Sequence, residues 1–318
     1  MIKNRVNKID NIGIFGNLYS VLLYLLLKDK TSISKTLFLV EKDLKNLNVK
    51  YKKIFFKNAK IKIFILLQRI TILLKCFYLE KKYRLVGKRV YGNDHIPIAF
   101  YFLRKYDFYV IEEGLANYEK LEKVKERPKL YYFSKLGRTK QVKKVYLTGI
   151  SGIPLEIKKK VEIIDIKKLW NKKTENEKEN ILKIFNLDKL NLSQKESRYI
   201  LLTQPLSEDG YITEREKIKL YKKIIEKYPS RKIIIKKHPR EKTKYEKVFQ
   251  DITILSDTFP AEIFTLLGIE FEKVITLFST SVFNFNFKNI DFYGTEVHPN
   301  LLKKFGSMDH IMKRNKFL

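Results

Sequence analysis

The chemistry available to this chain is concentrated in four short polar clusters, each following an apolar run. Glu112-Glu113-Gly114 sets two carboxylates side by side ahead of a glycine, whose backbone takes shapes that other residues resist. If a strand leads into them, adjacent side chains point to opposite faces and have different tasks, one of which could be to take a proton from a hydroxyl. A solvated turn explains the pair as well. Lys237-His238-Pro239-Arg240 places one of only four histidines among cations. Neutral imidazole donates and accepts, while the protonated ring stabilises a phosphate. With no Cys or second His nearby, a phosphorylated leaving group suits it better than a metal. The plainer alternative is a surface histidine in a Lys-rich turn.

Ser279-Thr280-Ser281 offers three hydroxyls and, if a helix begins there, outward N–H groups for a phosphate; helix capping alone also accounts for them. In Ser207-Glu208-Asp209-Gly210, Glu208 and Asp209 compete for an acid–base role against an ordinary Asp-Gly turn. Glu262 could accept hydrogen bonds from a ribose or base, or simply favour a helix N-terminus. Asn17, Asp94 and His95 follow further strand-like runs and could touch an acceptor or nucleotide, although capped turns explain them adequately.

The elements that must position these groups alternate regularly. Apolar runs at residues 12–15, 36–40, 83–86, 107–111 and 144–147 read as strands, with helices over 18–27 and 97–104. Residues 62–68 read as a strand or as the opening of a helix toward Cys76. In the second half, strands are expected at 199–203, 232–235 and 273–277, and helices at 214–228 and 260–267. This succession predicts an α/β fold of parallel sheets covered by helices. The wholly polar run 171–179 is a linker or an exposed helix start, so the expected domains are 1–155 and 191–318 around a linker region 156–190. Open α/β sheets bind ligands beyond the carboxyl ends of their strands, which is where all four clusters fall.

Composition narrows the partners. Lys plus Arg is 66 against 35 Asp plus Glu, a formal charge of +31. Such a surface concentrates polyanions: nucleic acid, an anionic membrane face or a phosphorylated metabolite. A general drift toward Lys, Ile and Asn explains it equally. There is no zinc-finger spacing, zipper heptad or RNA-recognition aromatic signature, so no nucleic-acid partner is expected. The single Cys76 excludes a disulfide-built module. Gly13-Ile14-Phe15-Gly16 lacks the dinucleotide fingerprint, and neither a phosphate loop, a zinc-protease motif nor a hydrolase elbow occurs. The apolar stretch 12–27 is interrupted by Gly13, Gly16, Asn17 and Ser20, unlike a membrane span or secretory signal. A cytoplasmic protein is therefore expected. Lys beside Phe and Tyr would allow peripheral contact with the anionic inner face of the membrane, and exposed aromatic faces would support a homodimer.

Ile111-Glu112-Glu113-Gly114-Leu115, Lys237-His238-Pro239-Arg240 and Ser279-Thr280, in that order and one per strand end, resemble the acidic-acidic-glycine, histidine-proline and paired-hydroxyl motifs of bacterial sialyltransferases. Most similar is glycosyltransferase family 52, which builds lipooligosaccharide and capsular polysaccharide termini. The resemblance implies a GT-B fold, two Rossmann-like αβα domains facing a central cleft. It further implies CMP-sialic acid as donor, a galactose-terminated and lipid-linked acceptor, inversion at the anomeric carbon, and no cofactor or essential metal. By that likeness His238, beside Pro239, supports the departing CMP phosphate, Ser279, Thr280 and Ser281 hold it, and Glu262 binds the cytidine. Glu113 is the catalytic base by motif position, with Glu112 and Gly114 supporting it. The base is often aspartate in related enzymes, and Glu208-Asp209-Gly210 resembles the same short motif, so Asp209 is retained as a competitor. The alternatives are another GT-B glycosyltransferase with a different nucleotide sugar, or a non-enzymatic polyanion-binding protein.

Overall fold

A computed structural model of the chain describes residues 9–55, 62–119, 136–187, 199–255 and 258–308. It forms two compact units, Met1–Asp188 and Lys189–Leu318. The domain boundary expected near residue 190 lies outside the described residues.

The first unit is a seven-stranded sheet in the order β3-β2-β1-β4-β5-β6-β7, every neighbouring pair parallel. Its central strands β1 (Asn11–Phe15), β2 (Thr36–Glu41), β4 (Arg89–Gly92), β5 (Phe108–Ile111) and β6 (Val142–Leu147) are mostly buried on both faces. That double burial explains their unbroken apolar sequence. The edges β3 (Tyr51–Phe55) and β7 (Val161–Ile163) were not legible in the sequence. They carry Lys52, Lys53 and Glu162, as edge strands do to discourage further pairing. Helix α1 (Leu18–Leu27) follows β1 directly, and the short helix α2 (Lys30–Ser34) leads into β2.

Three expectations need correction here. The strand expected at 83–86 is the turn that ends α3 (Lys62–Tyr83), the helix that residues 62–68 open in the second of their two readings, with Arg84 and Gly87 at φ of 50° and 78°. The next strand begins only at Arg89, because Leu85 packs inward as a helix-terminating contact while Val86 faces solvent. The helix expected over 97–104 is the single turn Ala99–Phe102. Most of the region read as a linker is part of the first unit: β7 and the helices Ile166–Asn171 and Glu175–Ile184 lie in it. The polar run is the start of the second helix, capped by Thr174 and Glu177, and Ile181 and Ile184 are buried.

The second unit repeats the theme with a five-stranded parallel sheet in the order β10-β9-β8-β11-β12. Its central strands are β8 (Tyr199–Leu202), β9 (Ile233–Lys236) and β11 (Lys273–Thr276), flanked by the three-residue edges β10 (Thr253–Leu255) and β12 (Ile290–Phe292). Helix Glu214–Ile225 starts in the capping box of Thr213 and Glu216 and buries Tyr221, Ile224 and Ile225. Among the described residues, no helix is long and apolar enough to cross a membrane.

Candidate active site

In both sheets the strand order reverses direction, between β1 and β4 in the first and between β8 and β11 in the second. Loops diverge at such points and leave a crevice at the carboxyl ends of the strands.

In the first unit the crevice is locked by one asparagine. Asn93, just past β4, accepts from Gly16 N at 2.9 Å and donates to Ser20 Oγ at 2.9 Å and to the Ile111 carbonyl at 3.2 Å. Ser20 Oγ donates to the Glu112 carbonyl at 2.7 Å, and Asn17 caps α1 through Ser20 N. The ends of β1, β4 and β5 thus form one corner. Gly92 permits it: a Cβ there would stand 1.9 Å from the Ile14 carbonyl oxygen, at a φ of 130°. Gly114 turns the chain beyond the glutamates at a φ of 131°, where its constraint is backbone shape rather than space.

The two glutamates do separate. Glu112 is fully buried and accepts from Tyr118 Oη at 2.8 Å and from both the amide and hydroxyl of Thr148. Burial pushes its carboxyl pKa up, against the opposing pull of the Thr148 and Tyr118 hydrogen bonds. It ties β5 to the end of β6. Glu113 faces the other way, its backbone N–H bound by Asn117 Oδ1 at 2.8 Å and its carboxylate 2.8 Å from His95 Nε2. Burial would lower the His95 pKa, but the Glu113 carboxylate outweighs it and the ring is held above its ordinary value. Neighbouring Asp94 is buried, accepts from Gly137 N at 2.7 Å, and is raised in pKa foremost by burial. The sequence offered His95 and Asp94 as acceptor or nucleotide contacts or as a capped turn; the pairing of His95 with Glu113 has no signature in residue spacing.

In the second unit the centre is His238, two residues beyond Lys236 at the end of β9. Its Nδ1 accepts from Arg240 N at 3.1 Å, so the neutral ring carries its proton on Nε2. Its backbone N–H is held at 2.9 Å by Glu241, a buried carboxylate that also accepts from Tyr245 Oη at 2.7 Å and from Thr203 Oγ1. The Arg240 guanidinium pairs with Asp209 Oδ1. Arg240 therefore grips His238 through its backbone and Asp209 through its side chain, and Pro239 lies between them in the turn.

Beneath this group lies a feature the sequence did not announce. Lys217 has no exposed surface and meets Glu208 at 2.8 Å, Glu214 at 3.1 Å and Glu241 at 3.7 Å. Burial alone would raise the Glu208 pKa, but Lys217 and the Lys242 amide hold it down at about 2. Glu208 is thus committed to its loop, which leaves Asp209 as the carboxylate at the loop's tip.

Gln204 links this group to the next strand end: its backbone N–H donates to Tyr221 Oη at 2.8 Å, and its side-chain Oε1 accepts from Phe278 N at 3.0 Å. There Ser279 caps a short 3-10 helix, Thr280–Asn284, through Ser281 N. The helix start expected at this place is a single 3-10 segment, so it brings hydroxyls and a few N–H groups rather than a macrodipole. Glu262 is buried and accepts from Asn284 Nδ2 at 3.2 Å, which joins helix Glu262–Leu266 to that segment. The structure therefore gathers Glu112, Glu113 and Gly114 with His95 in one unit, and Asp209, His238, Pro239, Glu262 and Ser279–Ser281 along adjacent strand ends of the other.

A Haemophilus influenzae protein described as uncharacterized is 40% identical to this chain over 306 residues, which is 94% of this chain and 99% of that protein. Among solved structures, the Photobacterium sp. JT-ISH-224 2,6-sialyltransferase, captured with CMP and lactose, matches with a TM-score of 0.57 at 10% identity, covering 89% of this chain and 70% of that one. A Photobacterium damselae sialyltransferase GT-B domain matches at 0.52 and 12% identity, covering 89% and 90%. UDP-GlcNAc 2-epimerase from Neisseria meningitidis matches at 0.52 and 12%, covering 96% and 90%. At such identities the structural matches speak for the fold alone, which is GT-B. The model of glycosyltransferase family 52 matches residues 17–301, nearly the whole chain and all four polar clusters, and the chain belongs to that family.

Proposed function

We propose that the chain is an inverting sialyltransferase, moving sialic acid from CMP-sialic acid to a terminal galactose of lipooligosaccharide or capsular polysaccharide. The carrying observation is the Arg240 bridge, which couples a carboxylate, Asp209, to an imidazole that donates through Nε2–H. In the proposed step an Asp209 oxygen removes the proton of the galactose hydroxyl as that oxygen attacks the anomeric carbon. The bond from that carbon to the CMP phosphate breaks on the opposite face, and the configuration inverts. His238 Nε2–H and the hydroxyls of Ser279 and Thr280 stabilise the charge on the departing phosphate, with Lys237 and Arg240 keeping the local potential positive and no metal invoked. Glu262 serves the cytidine side from its place against Asn284, in the segment that Ser279 caps.

Asp209 is assigned as base over Glu113 because it shares a bridging residue with His238, whereas the Glu113 carboxylate is bound to His95 in the first unit. The enzyme works in the cytoplasm on a lipid-linked acceptor.

A panel of nucleotide-sugar donors and galactosides, with product linkage read by NMR, tests the reading. CMP-sialic acid should yield a sialoside and CMP, while turnover of a UDP-hexose instead would select a different GT-B reaction. Asp209→Asn should lower kcat by about 10²–10⁴-fold with CMP binding retained. His238→Ala should lower donor turnover by roughly 10²–10³-fold. If Glu113→Gln collapses turnover while Asp209→Asn transfers normally, the base is Glu113.

A further inference from the structure

Helix α3 has two apolar faces. Ile72, Cys76 and Leu79 are buried in the core of the first unit. On the opposite side Ile70, Leu73, Leu74, Phe77 and Tyr78 follow the i, i+3, i+4, i+7, i+8 spacing of a single stripe. They are 47, 38, 65, 52 and 60% exposed, and make up five of the eleven large apolar side chains exposed among the described residues. Apolar side chains scattered singly over a surface need no explanation, but a contiguous stripe of this kind does.

Cations frame the stripe. Lys75 and Lys82 are exposed along one flank, and Lys81 lies within it near the helix end. The Lys81 Nζ is 5.6 Å from the Phe77 ring centroid, and the Lys82 Nζ is 5.6 Å from that of Tyr78. The one acid of the helix, Glu80, is buried and bonded to Tyr101 Oη, so no negative charge of this helix opposes an anion at the exposed face.

We propose that this face of α3 docks the protein on an anionic lipid bilayer. The helix lies in the interface with Leu74, Phe77 and Tyr78 at the acyl boundary, and Lys75, Lys81 and Lys82 reach the headgroup phosphates. Charge complementarity selects this occupant over a second copy of the chain. Pairing two such faces would set these lysines against their own counterparts on molecules of net charge +31. Docking through α3 does not depend on which sugar the enzyme transfers.

The test is co-sedimentation of the full chain with phosphatidylcholine vesicles, with and without phosphatidylglycerol. The protein should bind the phosphatidylglycerol vesicles and leave them as salt rises. The exposed double change Leu74→Gln with Phe77→Gln should lower the partition on the order of tenfold or more, and Lys75→Glu with Lys82→Glu should also weaken it. Lys303→Glu with Lys304→Glu, exposed in the other unit, should leave it unchanged. Because the single tryptophan, Trp170, is buried, Phe77→Trp adds a distinct reporter whose emission should shift to the blue on phosphatidylglycerol vesicles. Wild-type binding by the Leu74→Gln, Phe77→Gln protein, or unshifted emission from the vesicle-bound Phe77→Trp protein, would overturn the proposal. A dimer split by that double change with vesicle binding intact would assign the face to a second copy instead.

Discussion

Two charged groupings behave differently although both contain carboxylates beside a cation. Lys217 is enclosed by Glu208, Glu214 and Glu241, and its loss would leave the buried carboxylate of Glu241 without its cation. Lys217→Met should therefore cost about 3–5 kcal/mol in denaturant unfolding. The Met side chain fills similar space, so a change within experimental error would mean that the buried lysine is not carrying this charge balance. The His95–Glu113 pair is partly exposed and titratable. Because the folded pKa of His95 is raised from 6.5, its stabilising contribution is complete below 6.5 and is lost as pH rises through the raised value. The stability difference between wild type and Glu113→Gln should thus be larger near about pH 6 than near about pH 9. A difference that is flat across that window would show that the pair is not coupled to folding.

At the level of elements, the site is made by strand ends rather than by strands. β1, β4 and β5 are pinned through Asn93, and this needs Gly92 in a backbone shape forbidden to other residues and within contact of the Ile14 carbonyl. Gly92→Ala should unfold or loosen the first unit at a cost of several kcal/mol, on the order of 3 or more. Urea unfolding followed by Trp170 fluorescence would measure it, since that residue lies in the same unit. Retained stability would mean that β4 can retreat from β1 without loss. By contrast, the short 3-10 segment after Ser279 is an element too small to bind an anion through its dipole, so its contribution to the proposed site lies in hydroxyls and individual amides.

Across the whole molecule, each unit has its own apolar core: one built on Ile12, Leu39, Val90, Phe108 and Val145, the other on Leu201, Tyr221, Ile235 and Ile275. Separate cores permit separate cooperative transitions. Scanning calorimetry should resolve two, of which Lys217→Met lowers only one, while Trp170 fluorescence follows the other. A single transition shared by every probe would reject this independence. The charge of +31 acts at this scale as well, as a long-range attraction for small anionic ligands that should weaken with ionic strength.

The sequence by itself determined the α/β class, the central strands and the carboxyl-end positions of the polar clusters. Parallel strands buried on both faces must be written as apolar runs, and the groups that follow them must be polar. It did not reveal β3, β7, β10 or β12, because edge strands are short and half solvated and carry no such run. Only the tertiary structure decided that Glu112 is a buried tie while Glu113 meets His95, that Glu208 is held by Lys217 while Asp209 meets Arg240, and that α3 shows solvent a second apolar face. Each of these depends on which side chains approach from other elements, from 9 residues away for Lys217 and Glu208 to 36 for Thr148 and Glu112. Spacing along the sequence encodes the period of a strand or helix, but not the partner that folding brings to it.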